Sequence, residues 1–511
     1  MKLLTTLAAL LTALPAFAEK QPNILYIMSD DHAAHAIGAY GGRLSKLNPT
    51  PSIDRLAKEG ALMENTFCTN SICSPSRATV ITGQYSHTNG VRILGEPVLP
   101  ENQTLPLEMK KAGYVTGMIG KWHLEVEPAS FDYYSVLNGQ GNYFNPVMND
   151  KKAGKWPDNI VHYPTGKGSY DSLHTDDVIT DLSIDWMKQQ LKSGKPFFLM
   201  HHFKGPHDNF ENAERYDFLY DDIEIPEPSD LYERSKNGPL DHEPYGTSVS
   251  GRNSRRNMGH HMFVDPNLEP REYTHVSYQR YLKKYLRTIR GVDDNIGRVL
   301  DFLEKEGELD NTLIIYTSDQ GFMTGEHDMI DKRWMYEESL RMPFVARYPA
   351  AIKGGTKVDQ LANNVDFAPT LLDFAGVKEM PESFEGRSFL PLLEGKTISD
   401  WPEATYYRYW MHMAHHDNPA HYGIRTKKYK LIYFYGLQLD TKGEKKAPTP
   451  AYWEFYDLSK DPQELNNAYA DPEYAETIKK LKSDLLDLKE EIGDTDEKYP
   501  ELMKVREETW E

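Results

Sequence analysis

Residues 23–32 read NILYIMSDDH, an apolar run of strand length that ends directly in polar residues. Three later runs have the same form: YVTGMI at 114–119, PFFLMHHF at 196–203 and NTLIIYT at 311–317. Their length and their β-branched and aromatic content are typical of buried strands. Because buried strands that alternate with helices form a sheet covered on both faces, the sequence predicts an α/β fold: a large, mixed, mostly parallel sheet sandwiched by helices.

Helical patterns lie between these runs. TPSIDRLAKEGALM at 50–63 begins with a Thr-Pro helix entry. Residues 281–307 place apolar side chains at helical spacing over several turns. These helices are expected to cover the faces of the sheet.

The C-terminal part of the chain differs in composition. Residues 406–436 are aromatic and strand-like, and residues 474–494 form an amphipathic helical pattern. We predict a main domain at 19–400, which carries the site, and a smaller C-terminal α+β domain at 401–511.

The first residues, MKLLTTLAALLTALPAFAEK, have the form of an export signal. Lys2 supplies a positive start, an apolar run follows, and Ala16-Phe17-Ala18 is a small-residue cleavage site. We predict a signal peptide at 1–18 and an exported mature protein, periplasmic or secreted, without a membrane span. The alternative is a membrane anchor, for which the apolar run looks too short.

The charge balance limits the classes of partner. The chain has 58 basic and 77 acidic residues, a net charge of -19. Nucleic acid is not an expected partner, because no basic excess is present to neutralise phosphates. An anionic small substrate stays open, since a local cluster of cations can bind an anion on an acidic protein.

Polar side chains follow each of the four apolar runs, and in parallel sheets ligands bind at the carboxyl ends of strands. Asp30 and Asp31 follow the first run, and Asp319 and Gln320 follow the last. Together these oxygens would form a cage for Ca²⁺ or Mg²⁺. Ca²⁺ fits this set better, because it accepts several protein oxygens in a flexible geometry. Solvated loop acids or a helix cap are the plain alternative for Asp30 and Asp31.

A second group of residues near the predicted strand ends is cationic or titratable. It contains Lys121, His123, His207 and Lys332. Together these side chains could bind an oxyanion and transfer protons. Each one alone is more commonly an ordinary surface residue.

The stretch CSPSRATVITG at 73–83 points to a specific chemistry. It resembles the signature of the formylglycine-dependent (type I) sulfatases, in which a C-x-P-S-R motif is followed by Thr-Gly. The resemblance includes SDDH at 29–32, GKWH at 120–123, SDQG at 318–321 and DK at 331–332. It spans roughly residues 20–440 and implies an alkaline phosphatase-like fold.

The resemblance implies a role for each matching residue. Cys73 resembles the cysteine that a formylglycine-generating or sulfatase-maturating enzyme oxidises to the nucleophilic aldehyde, and Arg77 resembles the residue that holds its hydrate. The implied calcium ligands are Asp30, Asp31, Cys73, Asp319 and Gln320. The implied sulfate-binding and proton-transfer set is Lys121, His123, His207 and Lys332, with Arg333 left outside it.

Two features of the motif region depart from a simple match. Gln320 stands where many relatives have Asn or His, but its amide still offers a carbonyl oxygen. A disulfide between Cys68 and Cys73, the only two cysteines, is the alternative to a modified Cys73.

The resemblance also implies a substrate class. Residues 38–60 and 420–436 look most like bacterial carbohydrate sulfatases of the N-acetylglucosamine-6-sulfatase type. His421 and Arg425 are predicted to contact the sugar, with a structural histidine cluster as the alternative for this region. Marine sulfated polysaccharides, namely carrageenan, ulvan or fucoidan, stay open as substrates. A phosphoesterase of the same superfamily and a non-catalytic sugar-binding protein are the other classes.

Overall fold

The computed structural model describes residues 21–164, 172–232, 245–251, 263–443 and 445–510. The predicted signal peptide at 1–18 lies outside these residues. Among the described residues, no helix combines the length and apolar character that a membrane crossing requires.

The described strands form three sheets. The bounds are β1 Asn23–Ser29, β2 Ala61–Phe67, β3 Val115–Gly120, β4 Tyr133–Leu137, β5 Val147–Asp150, β6 Ile160–His162, β7 Phe197–His202, β8 Thr247–Ser248, β9 Thr312–Ser318, β10 Met323–Thr324, β11 Met329–Asp331, β12 Arg341–Met342, β13 Phe344–Arg347, β14 Thr356–Asn363, β15 Ala404–Tyr409, β16 His421–Thr426, β17 Tyr429–Phe434 and β18 Tyr452–Asp457. The large sheet has the order β12-β2-β13-β9-β1-β7-β3-β4-β5-β6, and β14 pairs with β2.

The four runs predicted as strands are neighbours in the centre of this sheet, as β9-β1-β7-β3. All their pairings are parallel, and Met28 lies level with both His202 and Thr317. The carboxyl ends of these strands therefore meet at one edge. Antiparallel strands flank this centre on both sides, so the predicted mixed, mostly parallel sheet is confirmed.

The described helices cover both faces of the sheet. Their bounds are α1 Pro51–Glu59, α2 Cys73–Thr82, α3 Ser86–Asn89, α4 Thr104–Lys111, α5 Thr175–Ser193, α6 Pro270–Lys305, α7 Glu337–Leu340, α8 Phe367–Phe374, α9 Leu390–Leu393, α10 Ala475–Glu491 and α11 Pro500–Thr509. The helices predicted at 50–63, 281–307 and 474–494 correspond to α1, α6 and α10. The first is shorter than predicted, because its last residues enter β2.

Strand β1 shows why two helical layers are needed. Its side chains alternate between the faces, as the pleat requires. Tyr26 belongs to a core that includes residues of α2 and α4, whereas Leu25 and Ile27 belong to a core with residues of α1, α5 and α6. Every residue of β1 is buried, so neither face could be left to solvent.

The C-terminal part contains a four-stranded antiparallel sheet in the order β15-β16-β17-β18, with α10 and α11. Its aromatic side chains belong to the same continuous core as one face of the large sheet. The smaller antiparallel unit is therefore built onto the main sheet. The boundary predicted at 401 stays a prediction, and the first strand of this unit begins at Ala404.

Candidate active site

The predicted nucleophile and the acids after β1 come together at the carboxyl edge of the sheet. Cys73 is the first residue of α2, and its thiol donates to Asp30 Oδ1 over 3.3 Å. Lys121, which follows β3, donates to the other oxygen of Asp30 and lies 3.9 Å from Cys73 Sγ. Residues that follow β1, begin α2 and follow β3 therefore contact one another at this edge.

Three buried carboxylates form the base of the site. Oxygens of Asp30, Asp31 and Asp319 all lie within 4.8 Å of one another. Gln320 donates its amide to Asp31 Oδ1, while its carbonyl oxygen is buried without a hydrogen-bond partner among the described residues. An unpartnered buried carbonyl beside converging carboxylates suits a hard divalent cation, so the donor set fits the predicted calcium.

Each of these carboxylates also has a protein cation. Lys332 donates to both oxygens of Asp31 over 2.7 and 2.6 Å. Arg77 donates through Nε to Asp319 Oδ2 over 3.0 Å. With the Lys121–Asp30 pair, three cations face three anions, and all six side chains are almost completely buried. We call these six residues the strand-end cluster.

The cluster perturbs the acidity of its members. Although burial raises the pKa of Asp30, Lys121, His207 and Arg77 hold it well below the ordinary value. Burial and the neighbouring Asp30 carboxylate raise the pKa of the Cys73 thiol far above its usual value. The unmodified side chain is therefore a protonated thiol near neutral pH and a poor nucleophile.

The two predicted histidines lie around the same point. An oxygen of Asp30, Cys73 Sγ and a ring nitrogen of His207 lie within 4.8 Å of one another. Nδ1 of His207 lies 2.6 Å from Asp208 Oδ1 and 2.7 Å from the Asp208 carbonyl oxygen, which leaves Nε2 directed toward Asp31 at 3.9 Å. His123 has a buried Nδ1 without a partner, and burial together with Lys121 and Arg77 lowers its pKa.

Two side chains at this site were not in the predicted set. Asp208 orients His207, and its position directly after His207 in the sequence was the available signal. Asp176, at the start of α5, accepts from the backbone N–H groups of Lys204 and Gly205 over 2.9 and 3.3 Å. No local pattern marks Asp176, because its partners lie almost thirty residues away.

Arg333 lies at the edge of the cluster. It donates to Asp331 Oδ2 over 3.1 Å and, through Nη1, to the Tyr409 hydroxyl over 3.4 Å. Its guanidinium therefore contacts residues beside the cluster, and its exclusion from the sulfate-binding set stays a prediction.

The structure does not bring the two predicted sugar contacts to this site. His421 has no exposed surface and stacks against Trp334, Tyr407 and Phe434. Arg425 pairs with Glu337 over 3.1 Å, beside a separate surface cavity. A side chain sealed among aromatic rings cannot hydrogen-bond a sugar, so a packing role replaces the predicted contact for His421.

The alternative disulfide is also not formed. Cys68 and Cys73 are both free, and the Cys68 thiol donates to the carbonyl of Leu340 over 3.4 Å. The two cysteines therefore have separate environments.

Comparison with known proteins agrees with this architecture. The sulfatase family model matches residues 22–377, and the model for the C-terminal region of N-sulphoglucosamine sulphohydrolase matches residues 325–491. An N-acetylglucosamine-6-O-sulfatase of Bacteroides thetaiotaomicron is 38% identical over 98% of this chain and 93% of its own. An ulvan-active sulfatase of Formosa agariphila is 27% identical over 94% of this chain and 82% of its own.

Solved structures give the same result. The structure of BT4656 in complex with its substrate D-glucosamine-2-N,6-O-disulfate has a TM-score of 0.81 and 37% identity, over 93% of this chain and 99% of that one. A phosphonate monoester hydrolase from Silicibacter pomeroyi shares the fold, with a TM-score of 0.70 and 21% identity over 92% and 95% of the two chains. The chain belongs to the sulfatase family and is a sulfuric ester hydrolase.

Proposed function

We propose that this protein removes the 6-O-sulfate of N-acetylglucosamine in glycosaminoglycans or mucin, acting from chain ends, with a formylglycine made from Cys73. The observation that carries the substrate is the match along 98% of the chain to an N-acetylglucosamine-6-O-sulfatase. The similarity to BT4656, whose substrate is a 6-O-sulfated glucosamine, supports the same sugar.

Conversion of Cys73 is the central element of this proposal. The buried, protonated thiol is poorly suited to attack sulfur itself. Formylglycine in its hydrated form supplies two hydroxyls on one carbon, one to attack sulfur and the other to permit release of sulfate. A maturation enzyme that reads the 73–83 motif would supply the oxidation, and export would follow from the signal at 1–18.

The residues of the chain then have defined tasks. Asp30, Asp31, Asp319 and Gln320 would hold Ca²⁺, which contributes Lewis acidity at the nucleophilic hydroxyl. Lys121 and Lys332 already flank Cys73 and the acids, so they can neutralise the charge of the sulfate oxygens.

Two histidines are placed to move the protons. His207 has its Nδ1 side held by Asp208, so Nε2 is free to protonate the leaving alcohol, with Lys332 assisting. His123 is kept in its neutral form by burial and nearby cations, so its ring can accept a proton from the second hydroxyl. The start of α2 adds backbone N–H groups and the helix dipole at the same point.

A second substrate class has one observation in its favour. The Formosa agariphila relative acts on ulvan, a marine sulfated polysaccharide, and it covers 94% of this chain. Its 27% identity is lower than that of the amino-sugar enzyme. A phosphoesterase would normally use Ser or Thr where this chain has Cys73, and a pure binding protein would have no use for an aldehyde.

The test is a substrate panel with protein whose residue 73 has been examined by peptide mass. The expected mass change at residue 73 is loss of the elements of H₂S and gain of one oxygen. Free sulfate would then be measured on 6-sulfated N-acetylglucosamine, 6-sulfated galactose, and glycosaminoglycan, carrageenan and ulvan fragments. Release from 6-sulfated N-acetylglucosamine alone supports the proposal. Sulfate release only from algal fragments would contradict the proposed sugar. An unmodified Cys73 in active protein would contradict the proposed formylglycine nucleophile.

A further inference from the structure

The loop after β7 carries a lysine that the reaction described above does not use. Lys204 lies three positions before His207, and its side chain is 4% exposed. The loop is fixed from two sides: Asp176 accepts from the backbone of Lys204 and Gly205, and the Gly205 carbonyl accepts from the Asp30 N–H over 3.2 Å. Lys204 is therefore held in place beside the strand-end cluster.

The direct contacts of the Lys204 ammonium group include an aromatic ring and no carboxylate among the described residues. Among the described residues it forms no ion pair, and its Nζ contacts the ring of Tyr143, 4.8 Å from the ring centroid. Burial and the positive charge of Lys121 lower its pKa, and nearby carboxylates, Asp30 first among them, offset this only in part. Lys204 is not completely sealed, since 4% of the residue stays exposed.

The other cations of the site differ in this respect. Lys121, Lys332 and Arg77 each form a direct ion pair with a carboxylate. A buried ammonium without such a partner is costly, because its lost hydration is not replaced. A rigid loop that holds a buried ammonium without a direct ion pair is explained if a ligand supplies an anionic oxygen.

Tyr143 indicates which wall of the site the anion would contact. The Tyr143 hydroxyl donates to the backbone carbonyl of His207, so the ring that carries the Lys204 ammonium also abuts the loop of the proposed general acid. Lys204 thus belongs to the wall on the His207 side of the site.

We propose that Lys204 binds an anionic oxygen of the substrate and so contributes to its recognition. This inference rests on the sulfatase activity of the chain and not on the identity of the sugar. The oxygen belongs either to the sulfate that is cleaved or to a second anionic group of the same sugar, such as an N-sulfate or a carboxylate.

The test compares Lys204→Met with Lys195→Met, an exposed lysine before β7 that serves as the control. Inorganic sulfate binding is measured by calorimetry. KM and kcat are measured on 6-sulfated N-acetylglucosamine and on 2-N,6-O-disulfated glucosamine. We expect Lys204→Met to weaken sulfate binding, or to raise KM for the disulfated sugar, by about tenfold or more, with a smaller change in kcat. The control should change neither.

The two measurements identify the anion. Weaker binding of inorganic sulfate assigns Lys204 to the sulfate that is cleaved. A KM effect confined to the disulfated sugar assigns it to the second anion. Lys204→Arg should restore most of the lost affinity, since it returns the charge. If wild-type protein binds sulfate but releases none from these amino sugars, the proposed substrate fails while the sulfate comparison still tests Lys204.

Stability separates a binding role from a structural one. Because the ammonium has no ion-pair partner among the described residues, Lys204→Met should leave the unfolding temperature unchanged or raise it. A lowered unfolding temperature, or failure to fold, would assign Lys204 to support of Asp176 and overturn the proposal. Unchanged sulfate binding together with an unchanged KM would also overturn it.

Discussion

The molecule contains two buried clusters of charged side chains that are completed in different ways. The strand-end cluster lies at the carboxyl edge of the large sheet. The second cluster joins the four-stranded sheet to the C-terminal helices and contains Arg408, Lys489, Asp494, Asp496 and Arg506; we call it the C-terminal cluster. In both, oppositely charged groups lie close together, with Lys332 2.6 Å from Asp31 and Arg408 2.7 Å from Asp494.

The two clusters differ in what covers the polar atoms that the ion pairs do not use. In the C-terminal cluster, the Arg408 guanidinium lies 3.7 Å from the centroid of the Trp410 ring, and Lys489 Nζ lies 3.9 Å from that of Tyr422. Beside the strand-end cluster, Gln320 Oε1 and His123 Nδ1 are buried with no hydrogen-bond partner among the described residues. Nε and Nη2 of Arg408 also lack hydrogen-bond partners among these residues, but the rings of Trp410, Tyr422 and Tyr435 cover the guanidinium. The unpartnered atoms of Gln320 and His123 instead belong to residues that the proposed metal and substrate would contact. Similar ion pairs can therefore support either a fixed structure or a binding site.

The largest effect is expected from a variant that removes the proposed nucleophile beside the strand-end cluster. Cys73→Ala should lower kcat by on the order of 10³-fold or more, because no other side chain replaces a lost nucleophile. The unfolding temperature should change little, since the thiol is small and its neighbours keep their ion pairs. Sulfate release and thermal unfolding are measured on the same sample. Substantial turnover by this variant would contradict the proposed mechanism.

A matched change in the C-terminal cluster should have the opposite outcome. Asp494→Asn breaks the buried Arg408–Asp494 ion pair and leaves Asp496 as the nearest carboxylate to both Arg408 and Lys489. It should lower the free energy of unfolding by about 3–5 kcal/mol, with kcat retained. Asp487→Asn, an exposed acid on α10, is the control. Denaturant unfolding measures both variants, and a loss of activity at full stability would show that the clusters are not independent.

The Asp494→Asn variant also tests how the stability of the protein depends on pH. Burial by itself would raise the pKa of Asp494, but Arg408 and Lys489 hold this pKa well below its ordinary value. A depressed folded-state pKa stabilises the protein above the unfolded value of about 3.9, and this contribution is lost as the pH falls further. Wild-type stability should therefore decline below about pH 4 more steeply than that of Asp494→Asn. Parallel curves for the two proteins would argue against the ion pair.

A smaller effect is expected from the metal. If the strand-end acids hold Ca²⁺, adding it to chelator-treated protein at about 100 times its dissociation constant should stabilise the fold by about 2.7 kcal/mol. Gln320→Leu should reduce this shift, because it removes the unpartnered carbonyl oxygen. Thermal unfolding with and without Ca²⁺ checks this without any activity assay. An equal shift in both proteins would exclude Gln320 as a ligand.

The smallest effect is predicted for His421. His421→Phe keeps an aromatic ring between Trp334 and Phe434, so KM for the sugar should stay within about twofold of wild type. Steady-state kinetics on the preferred substrate measures this. A large rise in KM with normal stability would return His421 to the role that the sequence indicated.

The sequence by itself determined the centre of the sheet. Strand β1 and its three central neighbours are continuous apolar runs, and such runs are recognisable because parallel strands are buried on both faces. The acids and cations that follow them could be placed at one edge for the same reason. The 73–83 motif then identified the family, because its residue order is specific.

Only the tertiary structure decided which cations pair with which acids. Lys332 reaches Asp31 and Arg77 reaches Asp319 across 301 and 242 residues of chain, and no local pattern encodes such contacts. The same holds for His421, which was predicted from the sequence to contact the sugar although its neighbours in space are aromatic rings. Lys204 was visible in the sequence, but its lack of a direct ion pair among the described residues became apparent only from the packing around it. Burial and pairing are properties of packing between distant segments, whereas strand periodicity and a contiguous motif are properties of the local chain.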